Sequence, residues 1–107
     1  MVFCAFNEVV LGFPGSSLEI KFRNKRNYCV GGRLFARAGL VGQDAPLYGF
    51  KAGPAFEFLI ALGVARPMPY LGRARWVELL RHDGLTDEEL LDYVKRSYDA
   101  VTRRARE

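Results

Sequence analysis

The stretch from residue 18 to residue 38 limits most tightly what this chain can become. Leu18, Ile20 and Phe22 alternate with Glu19, Lys21 and Arg23. A period of two is that of a strand with one face turned inward and the other turned to water. Asn24-Lys25-Arg26-Asn27 then reads as a hairpin loop, and Tyr28-Cys29-Val30 as a short second strand. Gly31-Gly32 signals a tight turn, because both residues accept positive φ at little cost. A third strand runs from Arg33 to Ala38, with Arg33, Phe35 and Arg37 on one face and Leu34 and Ala36 on the other. Three strands joined by two short connections can only pair antiparallel, as a meander.

Helical signals surround this meander. Phe3, Phe6, Val10 and Phe13 recur at spacings of three and four, which lines them up on one face of a helix ended by Gly12 and Pro14-Gly15. After a loop over 39–46, residues 47–51 can add a fourth strand. Gly53-Pro54 opens a middle helix with proline at its favoured first position. Phe56, Leu59 and Ile60 form its inner face and Gly63 its stop. The two prolines in Arg66-Pro67-Met68-Pro69 predict an irregular segment, and residues 75–81 a strand around Trp76. Thr86 with Glu89 makes a capping box at the start of a last helix. Leu90, Leu91, Val94, Tyr98 and Val101 form its core stripe. Asp92 with Arg96 and Asp99 with Arg103 are spaced to pair on its outer side, and Arg103, Arg104 and Arg106 crowd the negative end of its dipole. The order is helix, meander, strand, helix, strand, long helix. That predicts an α+β fold, an antiparallel β-sheet with N-terminal, middle and C-terminal helices, in a single domain over residues 1–107.

Composition agrees with a folded, non-membrane chain. Half of the 107 residues are hydrophobic and 13% are aromatic, too many for intrinsic disorder. No apolar run approaches the roughly 20 residues that span a bilayer. Residues 1–13 lack a basic leader and a small-residue cleavage site, and read as a helix of the mature protein. Cys4 and Cys29 do not make a disulfide framework. Each sits among apolar neighbours, which suits reduced, structural thiols in a cytoplasmic protein.

Catalytic searches return little. His82 is the single histidine and falls in a loop, so no triad or metal set can be built around it. Gly31-Gly32-Arg33 lacks the lysine and the helix that a phosphate loop requires. The acids Asp87, Glu88 and Glu89 are explained by helix capping. No cofactor and no enzymatic activity are expected.

Charge is more informative. Residues 1–53 hold seven basic and three acidic side chains, residues 54–107 nine of each, so the whole net charge of +4 lies in the first half. Between residues 19 and 37 there are six basic side chains and one acid. Lys21 and Arg23 are expected on one face of the first strand, Lys25 and Arg26 exposed at the hairpin tip, and Arg33 and Arg37 on one face of the third strand. Cations on a β-ribbon can neutralise phosphates or simply keep the chain soluble, and Phe35, between two arginines, is placed either to stack on a base or to join the core.

The second half carries a family likeness. Pro69-Tyr70-Leu71-Gly72, then Arg75-Trp76-Val77, then Leu85-Thr86-Asp87-Glu88-Glu89-Leu90 and Ser97-Tyr98 resemble the C-terminal signature of the MmcQ/YjbR-like proteins. In the first half, Phe13-Pro14-Gly15 and Gly32-Arg33-Leu34-Phe35-Ala36 resemble that family's glycine-lysine-x-phenylalanine-alanine region. The resemblance implies a frataxin-like arrangement, a sheet with its main helices on one side, and DNA binding through a double wing of β-hairpins. One departure is visible: many members place a basic-basic-histidine run before the tryptophan, where this chain has Arg73-Ala74-Arg75. Arg73 and Arg75 become further phosphate contacts, and Trp76 a core residue. The leading expectation is DNA binding through Lys21, Arg23, Lys25, Arg26, Arg33, Arg37, Arg73 and Arg75. The alternative is a non-enzymatic adaptor, a homodimer in one form, that takes a protein or small ligand on residues 64–71, with Met68 and Tyr70 exposed.

Overall fold

The computed structural model describes residues 1–106, with side chains as far as Arg103. Arg104 and Arg106, expected at the helix terminus, therefore lie outside the described side chains. Six strands form one antiparallel sheet: β1 Ser16–Lys21, β2 Lys25–Val30, β3 Arg33–Leu40, β4 Tyr48–Lys51, β5 Ala65–Pro67 and β6 Trp76–Leu79. Their order across the sheet is β1-β2-β3-β4-β6-β5. Three α-helices accompany it: α1 Phe3–Leu11, α2 Phe56–Ala61 and α3 Asp87–Arg106. This is the α+β architecture expected from the pattern. No described helix is long and apolar enough to cross a membrane.

The helices supply one side of the core. Phe6 and Val10 of α1, Leu59 of α2 and Leu90, Val94, Tyr98 and Val101 of α3 pack with Tyr28, Phe35, Tyr48, Phe50, Val77 and Leu79 of the sheet. Phe6 lies 4.3 Å from Tyr48 between ring centres, and Phe35 meets Tyr98 edge-on at 5.3 Å. Burying large side chains of this kind contributes roughly 1.5–3 kcal/mol each. The amphipathic stripe of α3 is thus buried as expected, and Trp76 is a core residue. The capping box is complete. The Thr86 amide donates to Glu89 Oε1 at 2.9 Å, and the Glu89 amide donates to Thr86 Oγ1 at 3.1 Å. On the outer side of α3, Arg96 pairs with Asp92 at 2.8 Å. Asp99 takes Lys95 at 2.8 Å, so the pairing expected with Arg103 is replaced by one on the preceding turn.

Several local expectations are corrected. The first hairpin turns two residues earlier than the polar run suggests. Lys21 pairs with Lys25, and the tip is Phe22-Arg23-Asn24, all three in the left-handed region (φ 55°, 66° and 65°). Residues 25–27 belong to β2. Residues 65–67 form the short edge strand β5, where Pro67 is tolerated because an edge need not donate on its free side. Cys4 is exposed, whereas Cys29 is buried.

Two irregularities in the β2–β3 ladder reassign side chains. Cys29 pairs with Leu34 but Tyr28 pairs with Ala36, so Phe35 is an extra residue. Such a bulge turns the side chains beyond it to the opposite face. Phe35, next to the groove-facing Leu34, points into the helical core, fully buried, and is not a stacking platform; Ala36 and Arg37 are the side chains re-aimed. Arg37 shares its face with Leu34, not with Arg33. Further along, Asn27 pairs with Arg37 and Lys25 with Leu40, which leaves another extra residue near Ala38-Gly39. Gly39 has φ 53° there.

Candidate functional site

Arg26 lies opposite this second bulge, and it is only 5% exposed. Its Nε donates to Ala38 O at 2.9 Å, and its Nη2 to Leu40 O and Gln43 O, each at 2.7 Å. The guanidinium also sits 3.5 Å from the centre of the Phe3 ring. Arg26 is therefore a structural clamp that ties β2 to carbonyls at the end of β3 and in the loop after it. The expectation of an exposed Arg26 at a hairpin tip is wrong because the tip lies earlier, and β2 begins at Lys25.

The opposite, helix-free face of the sheet carries an open groove of about 750 Å³. Asn27, Cys29, Leu34 and Arg37 line it from β2 and β3, and Glu19 and Lys21 from β1. Phe22 and Arg23 contribute from the hairpin tip, Lys25 from the start of β2, and Pro69, Tyr70 and Leu71 from the loop after β5. Four of the eight expected basic residues thus come together: Lys21, Arg23, Lys25 and Arg37. Arg33 is exposed beside the Gly31-Gly32 turn and does not line the groove. Arg73 is exposed in a short 3-10 turn, Gly72–Ala74, and Arg75, next in the chain, lies 5.9 Å from the Phe56 ring; neither lines the groove.

The cations differ in how far they are neutralised. Lys21 Nζ lies 3.0 Å from Glu19 Oε2, the only carboxylate among the described residues that line the groove. Lys21 and the Cys29 thiol, which donates to the same oxygen at 3.5 Å, hold the Glu19 carboxyl below its ordinary range. Burial, aided by that carboxylate, pushes the Cys29 thiol up to about 11, which makes it a poor nucleophile. Arg23, Lys25 and Arg37 form no ion pair among the described residues. Arg37 is half-buried in the groove floor. Its Nε donates to Asn27 Oδ1 at 2.9 Å, and its Nη1 reaches Met68 Sδ at 3.6 Å. Burial lowers the pKa of this guanidinium below its ordinary value, and the Glu78 carboxylate offsets part of that effect. Asn27, itself buried, is oriented by donating to Lys25 O at 2.9 Å.

Two aromatic residues form the rims: Tyr70, expected to be exposed in the alternative binding stretch 64–71, and Phe22, which sequence reasoning missed as a site residue. Phe22 is 67% exposed, with the Arg37 guanidinium 5.9 Å from its ring. Tyr70 is fully exposed. It occupies the third position of a turn in which the Leu71 amide donates to Met68 O at 3.1 Å. Pro69 before it and φ 68° at Tyr70 are the marks of a type II turn, whose third position favours glycine. Left-handed backbone costs a residue with a Cβ roughly 1–2 kcal/mol. The signal available in the sequence was the phase: Phe22 extends the apolar alternation of β1 and so reads as inward, but β1 stops at Lys21. Met68, expected to be exposed with Tyr70, is 2% exposed. Its terminal methyl lies against Gly49, where a Cβ would be 2.0 Å away.

Among the described residues no group of three histidine, cysteine or acidic side chains could hold a metal ion. The fold and the groove define an α+β protein with helices covering one side of its sheet and a cationic, aromatic-rimmed cleft on the other. A family model, YjbR, matches residues 11–100, and the chain belongs to the YjbR family. No curated protein and no solved structure matches the chain.

Proposed function

We propose that this protein binds DNA across the helix-free face of its sheet, with phosphates held by Arg23, Lys25 and Arg37 and, beside Glu19, by Lys21. The observation that carries this reading is the imbalance of charge in the groove. Four cations face one carboxylate among the described lining residues, and the half-buried Arg37, partly offset by Glu78, forms no ion pair among the described residues. A guanidinium in a site that partly excludes water gains more from an incoming phosphate than a fully solvated one does. Membership of the YjbR family supports the reading. Arg26 has no part in it, because it is buried and its Nε and Nη2 are held by carbonyls of the fold.

Titration of labelled DNA at two salt concentrations tests the proposal. Three to four neutralised phosphates predict a log–log salt slope of roughly −2 to −4. The double variant Arg23→Glu/Lys25→Glu should weaken binding at least tenfold while its melting temperature stays near that of the parent, since neither side chain makes an ion pair among the described residues. Binding unchanged in that variant would remove the groove from the model.

A further inference from the structure

We infer that the groove takes a single strand of nucleic acid, with unpaired bases stacked on Phe22 and Tyr70 and the backbone running over Arg37. This rests on the reading just given and names the form of the nucleic acid. Phe22 and Tyr70 line one groove, stand at its edge in water, and adopt left-handed backbone that a large side chain disfavours. Neither ring belongs to the core. Glycine or asparagine would suit both turns better, so turn geometry does not account for aromatic rings at these positions. Rings that face solvent across a cationic floor are what a splayed strand requires: flat surfaces for its bases and positive charge for its phosphates. A duplex offers neither match. Its bases are already stacked and covered, and both rims would meet charged phosphates.

The same charge argues against the other occupants. Two copies of this face would bring like charges together, which disfavours self-association through it. An apolar ligand would leave Arg37 desolvated without a counter-ion.

The test compares a fluorescent oligothymidylate, a single-stranded RNA and a duplex of equal length by anisotropy at one salt concentration. It uses the full chain and its Phe22→Ala and Tyr70→Ala variants. The single strands should bind tighter than the duplex, and loss of either ring should weaken them between about fivefold and a hundredfold. Melting temperatures of both variants should stay close to the parent's. Equal or tighter duplex binding, or unaltered single-strand binding by both variants, overturns the inference. So does full displacement of the strand by thymidine monophosphate at equal nucleotide concentration, which would make the ligand a mononucleotide. Sedimentation showing a dimer that either substitution dissociates would make the face a self-interface and also overturn it. Duplex binding lost in Arg23→Glu/Lys25→Glu but preferred over single strands would leave the proposed function standing and remove only this refinement. No binding to any nucleic acid would remove both.

Discussion

Arg26 and Arg37 occupy neighbouring strands and opposite sides of the sheet, and burial affects them differently. Arg26 satisfies three carbonyls and a ring. Arg26→Leu should therefore cost about 3–5 kcal/mol, read as a lower urea midpoint, because buried carbonyls lose a charged donor. Arg26→Lys should rescue little, since an ammonium cannot reproduce the planar fork. The two thiols make a second contrast. Exposed Cys4 should react quickly with an alkylating reagent, and Cys29 slowly. The folded state holds the Cys29 proton from the ordinary thiol value of 9.0 up to about 11. Over that interval the unfolded chain binds fewer protons than the native one. Stability from this group is complete below pH 9 and is lost as pH rises towards 11. Tyr48, raised by burial from 10.0 to about 12, extends the decline. Urea midpoints measured from pH 8 to 11 should fall, and Cys29→Ala should flatten the part between 9 and 11. Residue identity alone could not separate Arg26 from Arg37. Both are arginines in a basic strand pair: Arg26 takes the helix side with Tyr28 by alternation in β2, and the bulge at Phe35 puts Arg37 on the other.

At the scale of elements, the shape of the groove depends on a missing side chain in β4. Gly49 lets Met68 lie flat on the sheet, and Met68 in turn anchors the turn that presents Tyr70. Gly49→Ala would force the methionine tip away, with the Val77 carbonyl 3.3 Å from the new Cβ limiting any retreat. Overpacking of this kind costs typically 1–3 kcal/mol. The expected outcome is a lower melting temperature together with weaker nucleic-acid binding, whereas Gly42→Ala, in an open loop, should leave binding unaltered. The elements themselves were largely legible. The alternation of β1, the Gly31-Gly32 turn, the capping box and the α3 stripe each follow from local chemistry. The bulges were not, because an extra residue in β3 has no signature in hydrophobic pattern. It puts Phe35 and Arg37 on opposite faces without altering composition. The three-residue tip was missed for a related reason: Phe22 continues the strand's pattern after its geometry has ended.

For the molecule as a whole, α3 is tied to the sheet by a polar contact as well as by its apolar stripe. Beyond the Ala36–Phe50 pair the β3–β4 ladder stops, and the Ser97 hydroxyl stands where the next rung would be. It donates to Phe35 O at 2.7 Å and accepts from the Lys51 amide at 3.2 Å. That rung joins residues 62 positions apart in sequence, and it can form only once the bulge at Phe35 and the end of β4 are in register. The meander closes through neighbours in the chain, so its ordering should come first and the seating of Ser97 late. A contact made after the folding barrier acts as a latch on the way out. Ser97→Ala should speed unfolding several-fold and leave the refolding limb of the chevron almost unmoved. The hydroxyl would then govern how long the native molecule lasts more than how quickly it forms.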